Sequence, residues 1–500
     1  MHLLTISLVL TLSALCVAQP QGQQRPFAAV HPSNKNNGEY ARFDNEQVLR
    51  VQISSIEQLK QLEAIVENKN LDLWSNLRIG TVDVRVPLSE LEAFKAAIPF
   101  PFSVMISNLQ DLVPEEAPAA TALLQNNLKP WNFTDDSFWL KYHDLATLNT
   151  FTETMVNQFP RIVTRTSLGH THEGREVFGL TIHRYNRDPE ADDVDSDDKD
   201  DDNELDLEDL IEDLVKEVRT EMRSWWSWLV GFSKSQKKSP KVKTILLHGG
   251  QHAREWIGPA TVSYIAKELI LGYGVNKKIT QAVDRYDFTI IPVLNADGYA
   301  YTWEHNRMWR KNRQPTSIPF CPGIDTNRNW GYKWNHGGSS GNPCNEAYRG
   351  PEAFAAEEPT MIANYILRKK NVVAYLDFHA YSQLWMTPFG GDCSEIPDDD
   401  EDIMEGGLGA AKALMDVHGT KFAVGSICKI IYQASGSSVD WTYAEGGVKY
   451  SYGVELRDKG LHGYMLPAKE ILPSGQETLA AVVHLANFIR VREDQWGDKV

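Results

Sequence analysis

The stretch Gly249-Gly250-Gln251-His252-Ala253-Arg254-Glu255-Trp256 decides how this chain is read. The run Val242 to Leu247 before it carries Val, Ile and Leu without alternation, the pattern of a strand buried on both faces. The two glycines end that strand. His252 and Glu255 then project from its end, three residues apart. Zn²⁺ accepts nitrogen and oxygen donors, so the pair suits a metal. His-x-x-Glu alone is a weak signal, and the remaining parts of such a site have to come from elsewhere in the chain.

They follow in order. Asp377-Phe378-His379-Ala380-Tyr381 comes after the apolar strand Val372 to Leu376 and supplies a second histidine at a strand end. His252, Glu255 and His379 form a His₂Glu set that leaves one zinc position open for water, as catalytic zinc requires. Asn306-Arg307-Met308-Trp309-Arg310 and Asp325-Thr326-Asn327-Arg328-Asn329-Trp330 set arginines beside aromatic rings. A cleft arginine needs an anion, either a structural salt-bridge partner or a bound carboxylate. In Ser451 to Asp458, Glu455 sits in or at the end of an apolar strand, where burial lifts a carboxyl toward general-base work. Ile431 to Gly436 places Tyr432 on what reads as a flexible loop.

Length and charge frame these motifs. A chain of 500 residues exceeds one ordinary domain. Of its net charge of −17, the segment Asp188 to Asp213 carries −15, with sixteen acidic residues and one lysine. The rest is near neutral, and no basic field points to nucleic acid. Residues 1–18 read as a secretory signal with an apolar core from Leu3 to Val17, too short for a membrane span. This directs the protein outside the cell or to a vacuole. Residues 19–39 are Gln-, Pro- and Asn-rich and read as disordered. Residues 40–113 alternate as a small ferredoxin-like α+β unit: strands Gln47 to Ile53, Thr81 to Val86 and Phe102 to Ile106, and helices Ser55 to Asn68 and Ser89 to Ala97. In the first helix Ile56, Leu59, Leu62 and Ile65 are expected on the buried face. Residues 114–134 form a linker.

The second unit spans 135–492, with 493–500 as a tail. Helices are expected near 145–158, 259–271, 351–369, 409–418 and 474–491. Strands are expected at 162–167, 177–183, 287–294, 372–378 and 448–456. Alternation of this kind predicts an α/β fold with a mixed, mostly parallel sheet covered by helices on both faces, and ligands at the carboxyl ends of its strands. An insertion, 188–241, runs from the acidic segment into a helical pattern ending in Trp225, Trp226 and Trp228. It reads as a surface helix on its own domain, or as a contact for a membrane surface or partner. Cys16 leaves with the signal. Cys321, Cys344, Cys393 and Cys428 remain, an even number in an oxidising compartment. Three pairings exist, and the short loop favours Cys321–Cys344 with Cys393–Cys428. Asn132 is an N-glycosylation acceptor.

The motifs His-Ala-Arg-Glu-Trp-Ile, Asn-Arg-Met-Trp-Arg-Lys, Asp-Thr-Asn-Arg-Asn-Trp, Phe-His-Ala-Tyr-Ser-Gln, Ile-Tyr-Gln-Ala-Ser-Gly and Glu-Leu-Arg-Asp resemble those of the zinc metallocarboxypeptidases of the A/B type, peptidase family M14. The resemblance runs from Tyr40 to Arg490, interrupted by the insertion, and the first unit is similar to the inhibitory prodomain of the family's zymogens. It implies a carboxypeptidase-like fold, a monomer, and one Zn²⁺ on His252, Glu255 and His379. Asp325 is then the residue holding the far nitrogen of His252, Glu455 the general base on water, and Arg310 the oxyanion donor. Asn327, Arg328 and Tyr432 grip a peptide's terminal carboxylate, Arg254 lines the approach, and Tyr381 belongs to the substrate site. Met386, Gly390, Ile427, Ser437, Val439 and Gly453 line the pocket for the last side chain. Members that cut after Lys or Arg carry Asp where this chain has Val439, so the resemblance implies a bulky apolar or aromatic C-terminal residue. A register error of one residue would instead put Asp440 in the pocket. Some secreted fungal members are inactive proteins of cell-wall organisation that lack the acid at the general-base position. Glu455 is present here, although the insertion resembles that branch.

Overall fold

The computed structural model describes residues 40–75, 77–113, 135–185 and 242–496. The signal, the 19–39 stretch, the linker with Asn132 and the 188–241 insertion lie outside them.

The first unit consists of β1 (Gln47–Ile53), α1 (Ile56–Lys69), β2 (Asp72–Leu73), β3 (Gly80–Val86), α2 (Leu88–Ala97) and β4 (Phe102–Ile106). Its sheet has the order β2-β3-β1-β4, and every pair in it is antiparallel. Leu49, Val51 and Ile53 alternate with more polar neighbours, and their face packs with Val82, Val84 and Val86 beneath Leu62, Val66, Leu91 and Phe94. Ser55 starts α1 by accepting the Gln58 N–H at 3.2 Å. Ile56 is not on the buried face: it is 63% exposed. It lies six residues before Leu62, about 120° round the helix, and Val66 takes its place. The two-residue strand β2 is too short to leave a periodic signal.

The second unit continues with α3 (Leu145–Gln158), β5 (Val163–His170), β6 (Glu176–Ile182), β7 (Thr244–Gly249), α4 (Ile257–Gly272), α5 (Lys277–Arg285), β8 (Asp287–Ile291) and α6 (Ala296–Glu304). Then come α7 (Glu357–Lys369), β9 (Val372–His379), β10 (Leu384–Thr387), α8 (Asp400–His418), β11 (Ala423–Ser426), α9 (Ile427–Ile430), α10 (Ser438–Ala444), β12 (Tyr450–Glu455) and α11 (Ile471–Trp496). The sheet order is β11-β10-β12-β9-β7-β8-β6-β5. Four of its seven neighbour pairs are parallel, among them the central β12, β9, β7 and β8. The expected mixed, mostly parallel sheet is therefore present.

Burial on both faces explains the unbroken apolar run in β7. Ile245 and Leu247 pack with Ile265 and Leu269 of α4 on one side. Leu246 packs with Ile362 and Ile366 of α7 on the other. Several boundaries differ from the sequence reading. The strand expected to Leu294 ends at Ile291, and the helix expected from 351 begins at Glu357. The helix expected from 409 begins at Asp400, and the last helix continues to Trp496. The tail accordingly does not start at 493: Glu493 is buried and bonded to Lys243, Arg285 and Tyr286. Disulfides join Cys321 to Cys344 and Cys393 to Cys428, the pairing favoured by loop length.

Candidate active site

β7 and β9 are parallel neighbours, and their carboxyl ends deliver His252 and His379 to one place. Glu255 arrives because α4 begins directly over those strands. A Cβ on Gly258 would lie 2.8 Å from the Phe378 carbonyl oxygen, and one on Gly249 2.7 Å from the Gly258 carbonyl carbon. Only glycine permits that approach. β12 lies on the other side of β9, in a register that sets Glu455 opposite His379.

The three side chains form a tight buried cluster, with one donor atom from each within 4.8 Å of the others. His252 Nδ1 is 2.9 Å from Glu255 Oε1, and His379 Nδ1 is 2.9 Å from Glu255 Oε2. The two Nδ1 atoms face each other at 3.1 Å. Two facing ring nitrogens and a carboxylate, all buried, are a donor set that fits a zinc ion. Behind them, Asp325 Oδ1 lies 3.1 Å from His252 Nε2. Arg310 donates to Asp325 Oδ2 at 2.9 Å and stands 3.7 Å from Glu255.

Charge is concentrated here. Burial alone would raise the Glu255 carboxyl, but His252 and His379 beside it hold it well below the carboxylate range. Burial would likewise raise Asp325, yet Arg310 and His252 hold it well down. Glu455 goes the other way. Burial pushes its carboxyl up to about 8 against the pull of His379, and Glu255 adds to the rise. Its Oε2 is buried without a hydrogen-bond partner.

A cleft of about 690 Å³ opens beside the cluster. It is lined by His252, Glu255, Arg310, Asn327, Arg328, His379, Tyr381, Met386, Ile427, Tyr432, Ser437, Val439, Gly453 and Glu455. Arg328 Nη2 meets the Tyr432 hydroxyl, and Asn327 Nδ2 lies 3.1 Å from His379 Nε2. Gly390 and Arg254 do not line the cleft. A Cβ on Gly390 would meet Ile427 at 2.7 Å, and its N–H donates to Asp440. The Arg254 guanidinium is turned to Asp72 of β2, at 2.7 and 3.1 Å, and to the face of Tyr464. Asp440, the register alternative to Val439, is not a lining residue: its carboxylate accepts the N–H groups of Gly390 and Gly391 at 2.9 and 2.7 Å.

The first unit sits on this cleft. Trp74 and Ser75 help line it, and the Trp74 ring packs edge-on against Tyr464 at 5.1 Å. The Tyr381 hydroxyl donates to Asp83 at 3.1 Å. The sequence reading assigned no role to Tyr464, Trp74 or Asp377. Asp377 carried a signal, its position two residues before a candidate ligand on one strand.

Residues 148–481 match the family model described as zinc carboxypeptidase, and residues 49–116 match that of the carboxypeptidase activation peptide. The chain belongs to the zinc carboxypeptidase family. Among curated relatives of this family, the inactive metallocarboxypeptidase ECM14 of Ajellomyces dermatitidis is 32% identical over 501 residues, 93% of this chain and 75% of that protein. The protein of the same name in Talaromyces marneffei is 30% identical over 482 residues, 90% of this chain and 73% of the relative. The crystal structure of thrombin activatable fibrinolysis inhibitor superposes with a TM-score of 0.70 at 27% identity, covering 89% of this chain and 98% of that one. The carboxypeptidase A of Helicoverpa armigera shares the fold, with a TM-score of 0.70 at 22% identity over 90% of this chain and 99% of that one. No helix among the described residues is long and apolar enough to cross a membrane.

Proposed function

We propose that this protein is a secreted zinc metallocarboxypeptidase, made as a zymogen, that removes bulky apolar or aromatic residues from peptide C-termini. The observation that carries the reading is the Glu455 carboxyl, which lines the cleft in register beside His379 and whose buried Oε2 has no hydrogen-bond partner. Zinc held by His252, Glu255 and His379 would polarise the scissile carbonyl and acidify water, and its charge favours ionised Glu455. Glu455 is then placed to take a proton from the attacking water and pass it to the leaving amine. Arg310 donates to the developing oxyanion. Arg328, with Asn327 and Tyr432 beside it, binds the terminal carboxylate, since a guanidinium fork matches that group. Only a free C-terminus satisfies this grip, which makes the action that of an exopeptidase. The first unit, with Trp74 and Ser75 lining the cleft and Asp72 paired to Arg254, is the inhibitory prodomain.

A second reading, an inactive or weakly active protein with a cell-wall role, is favoured by the names of the fungal relatives. The two separate in one experiment. Chain processed to remove the first unit and loaded with zinc is offered peptides with a panel of C-terminal residues. Release of Phe, Tyr, Trp or Leu is expected, with a loss of at least about 10²-fold in Glu455→Gln that leaves bound zinc unchanged. No release from any peptide would establish the second reading.

A further inference from the structure

We propose that Asp377 is a positioning residue of the metal site, fixing the ring of His379 as Asp325 is placed to fix that of His252. The inference rests on the reading of His252, Glu255 and His379 as metal ligands.

Both histidines turn Nδ1 into the cluster, which leaves Nε2 of each ring for another partner. For His252 that partner is Asp325. For His379 it is Asp377, whose Oδ2 lies 2.9 Å from Nε2. A ring that ligates through Nδ1 carries its proton on Nε2 and needs an acceptor there. Asn327 Nδ2 is also 3.1 Å from that nitrogen, but an amide NH₂ is a donor. Asp377 is therefore the acceptor.

The fold holds this carboxylate firmly. Asp377 and His379 are two apart on β9 and share a face of the sheet. Asp377 stands in register with His248 of β7 and Gly453 of β12, near the middle of the sheet, and is completely buried. The Ser438 hydroxyl at the start of α10 donates to Oδ2 at 2.6 Å. Oδ1 faces His248 Nδ1 at 3.5 Å, and neither atom has another partner. His248 is anchored in turn by the Tyr375 hydroxyl at 2.5 Å. A fully buried carboxylate is costly unless hydrogen-bonded or paired with a cation, and the groups around Asp377 that can serve are the two histidines and one serine. Ordering His379 is what this placement accomplishes.

The test uses the full chain, with zinc affinity measured by competition against a chelator of known strength. Cobalt substituted for zinc reports ligand geometry through its visible absorption, and unfolding of the metal-free protein reports stability. Asp377→Asn should weaken zinc binding about 10- to 100-fold and shift the cobalt bands, with Asp325→Asn losing a similar factor. Zinc affinity unchanged in Asp377→Asn, with only the unfolding midpoint lowered, would make the residue structural and overturn the proposal. Should Asp377→Asn fail to fold, Ser438→Ala is read instead. That variant frees Oδ2 and should bind zinc more weakly than wild type; unchanged affinity overturns the proposal. Wild-type protein without stoichiometric zinc would overturn the metal reading itself, and the inference with it.

Discussion

Met386, Ile427, Ala434 and Val439 line the cleft as a small apolar cluster of their own, the pocket we propose for the last side chain of a substrate. An ammonium or guanidinium would be buried there unpaired, at a cost of several kcal/mol. Asp440, the next residue, is engaged by the Gly390 and Gly391 N–H groups. kcat/KM for peptides ending in Phe should therefore exceed that for the same peptides ending in Arg. Val439→Asp should depress the first and raise the second. A wild-type preference for Arg would refute the pocket. A second residue sets a pH dependence. Burial pushes the Glu358 carboxyl up to about 7, while the Asn312 amide donates to it. It is thus neutral in the fold where the unfolded chain, with its carboxyl near 4.5, already ionises. Stability from this group is fully present below about pH 4.5 and is lost as pH rises through about 7, by on the order of 3 kcal/mol in all. Glu358→Gln should flatten that slope in denaturant unfolding measured from pH 4.5 to 8; parallel curves for the two proteins would disprove it. The site was largely legible at this scale, because His252, Glu255, His379 and Glu455 sit in short motifs at strand ends and Arg328 in a short motif of its own in the turn Thr326–Arg328. Asp377 was not. Its role depends on which ring nitrogen of His379 faces the cluster, and a residue string does not encode ring orientation.

Short elements govern how the cleft is covered. β2 has two residues, yet it carries Asp72, which sits 2.7 Å from the buried Arg254 and also pairs with Arg85. Burial would raise this carboxyl, but Arg254 and Arg85 hold it below its ordinary value. Asp72→Asn removes the charge that the Arg254 guanidinium meets and should loosen the first unit from the cleft. The intact, unprocessed chain should then hydrolyse a short peptide several-fold faster than wild type, with no change after processing. Equal rates in the two unprocessed proteins would show that the pair does not hold the cover. Processing itself should be slow with trypsin, since Lys129 is the only basic residue between Val113 and Lys141 and precedes Pro130. Rapid specific cleavage at that bond, followed by gel and mass, would contradict this. What the sequence hid were elements with only a few apolar residues in which a period could show. β10 and β11 have four residues each. α5 shows only Ile279, Ala282 and Val283 on its buried face, and α6 contains Gly298. The long elements, β7, β9, α3 and α11, carry enough apolar residues to declare their faces.

At the scale of the whole molecule, the chain has to close on itself after residues 186–241, and α11 does this. Glu493 lies 250 residues from Lys243, yet the two side chains meet at 2.9 Å just before β7 begins. The same carboxylate accepts from Arg285 at 2.8 Å and from the Tyr286 hydroxyl at 2.9 Å, at the junction of α5 and β8. One residue thus ties the last helix to the strand that resumes after the insertion and to its sheet neighbour. This is why the helix continues past the point where its apolar pattern fades, and why a tail starting at 493 was the wrong boundary. Glu493 is buried, while Lys243 and Arg285 are 29% and 42% exposed in their side chains, so water screens part of the attraction. Glu493→Gln should accordingly cost about 1–3 kcal/mol, less than breaking a fully buried pair. In a domain of this size that lowers the thermal midpoint by a few degrees, and truncation after Arg492 should do at least as much. Deleting residues 188–239 should leave the midpoint nearly unchanged, because the closure is made by groups outside the deleted segment. Calorimetry of the three proteins decides the matter: a deletion as damaging as Glu493→Gln would move the closing contacts into the insertion.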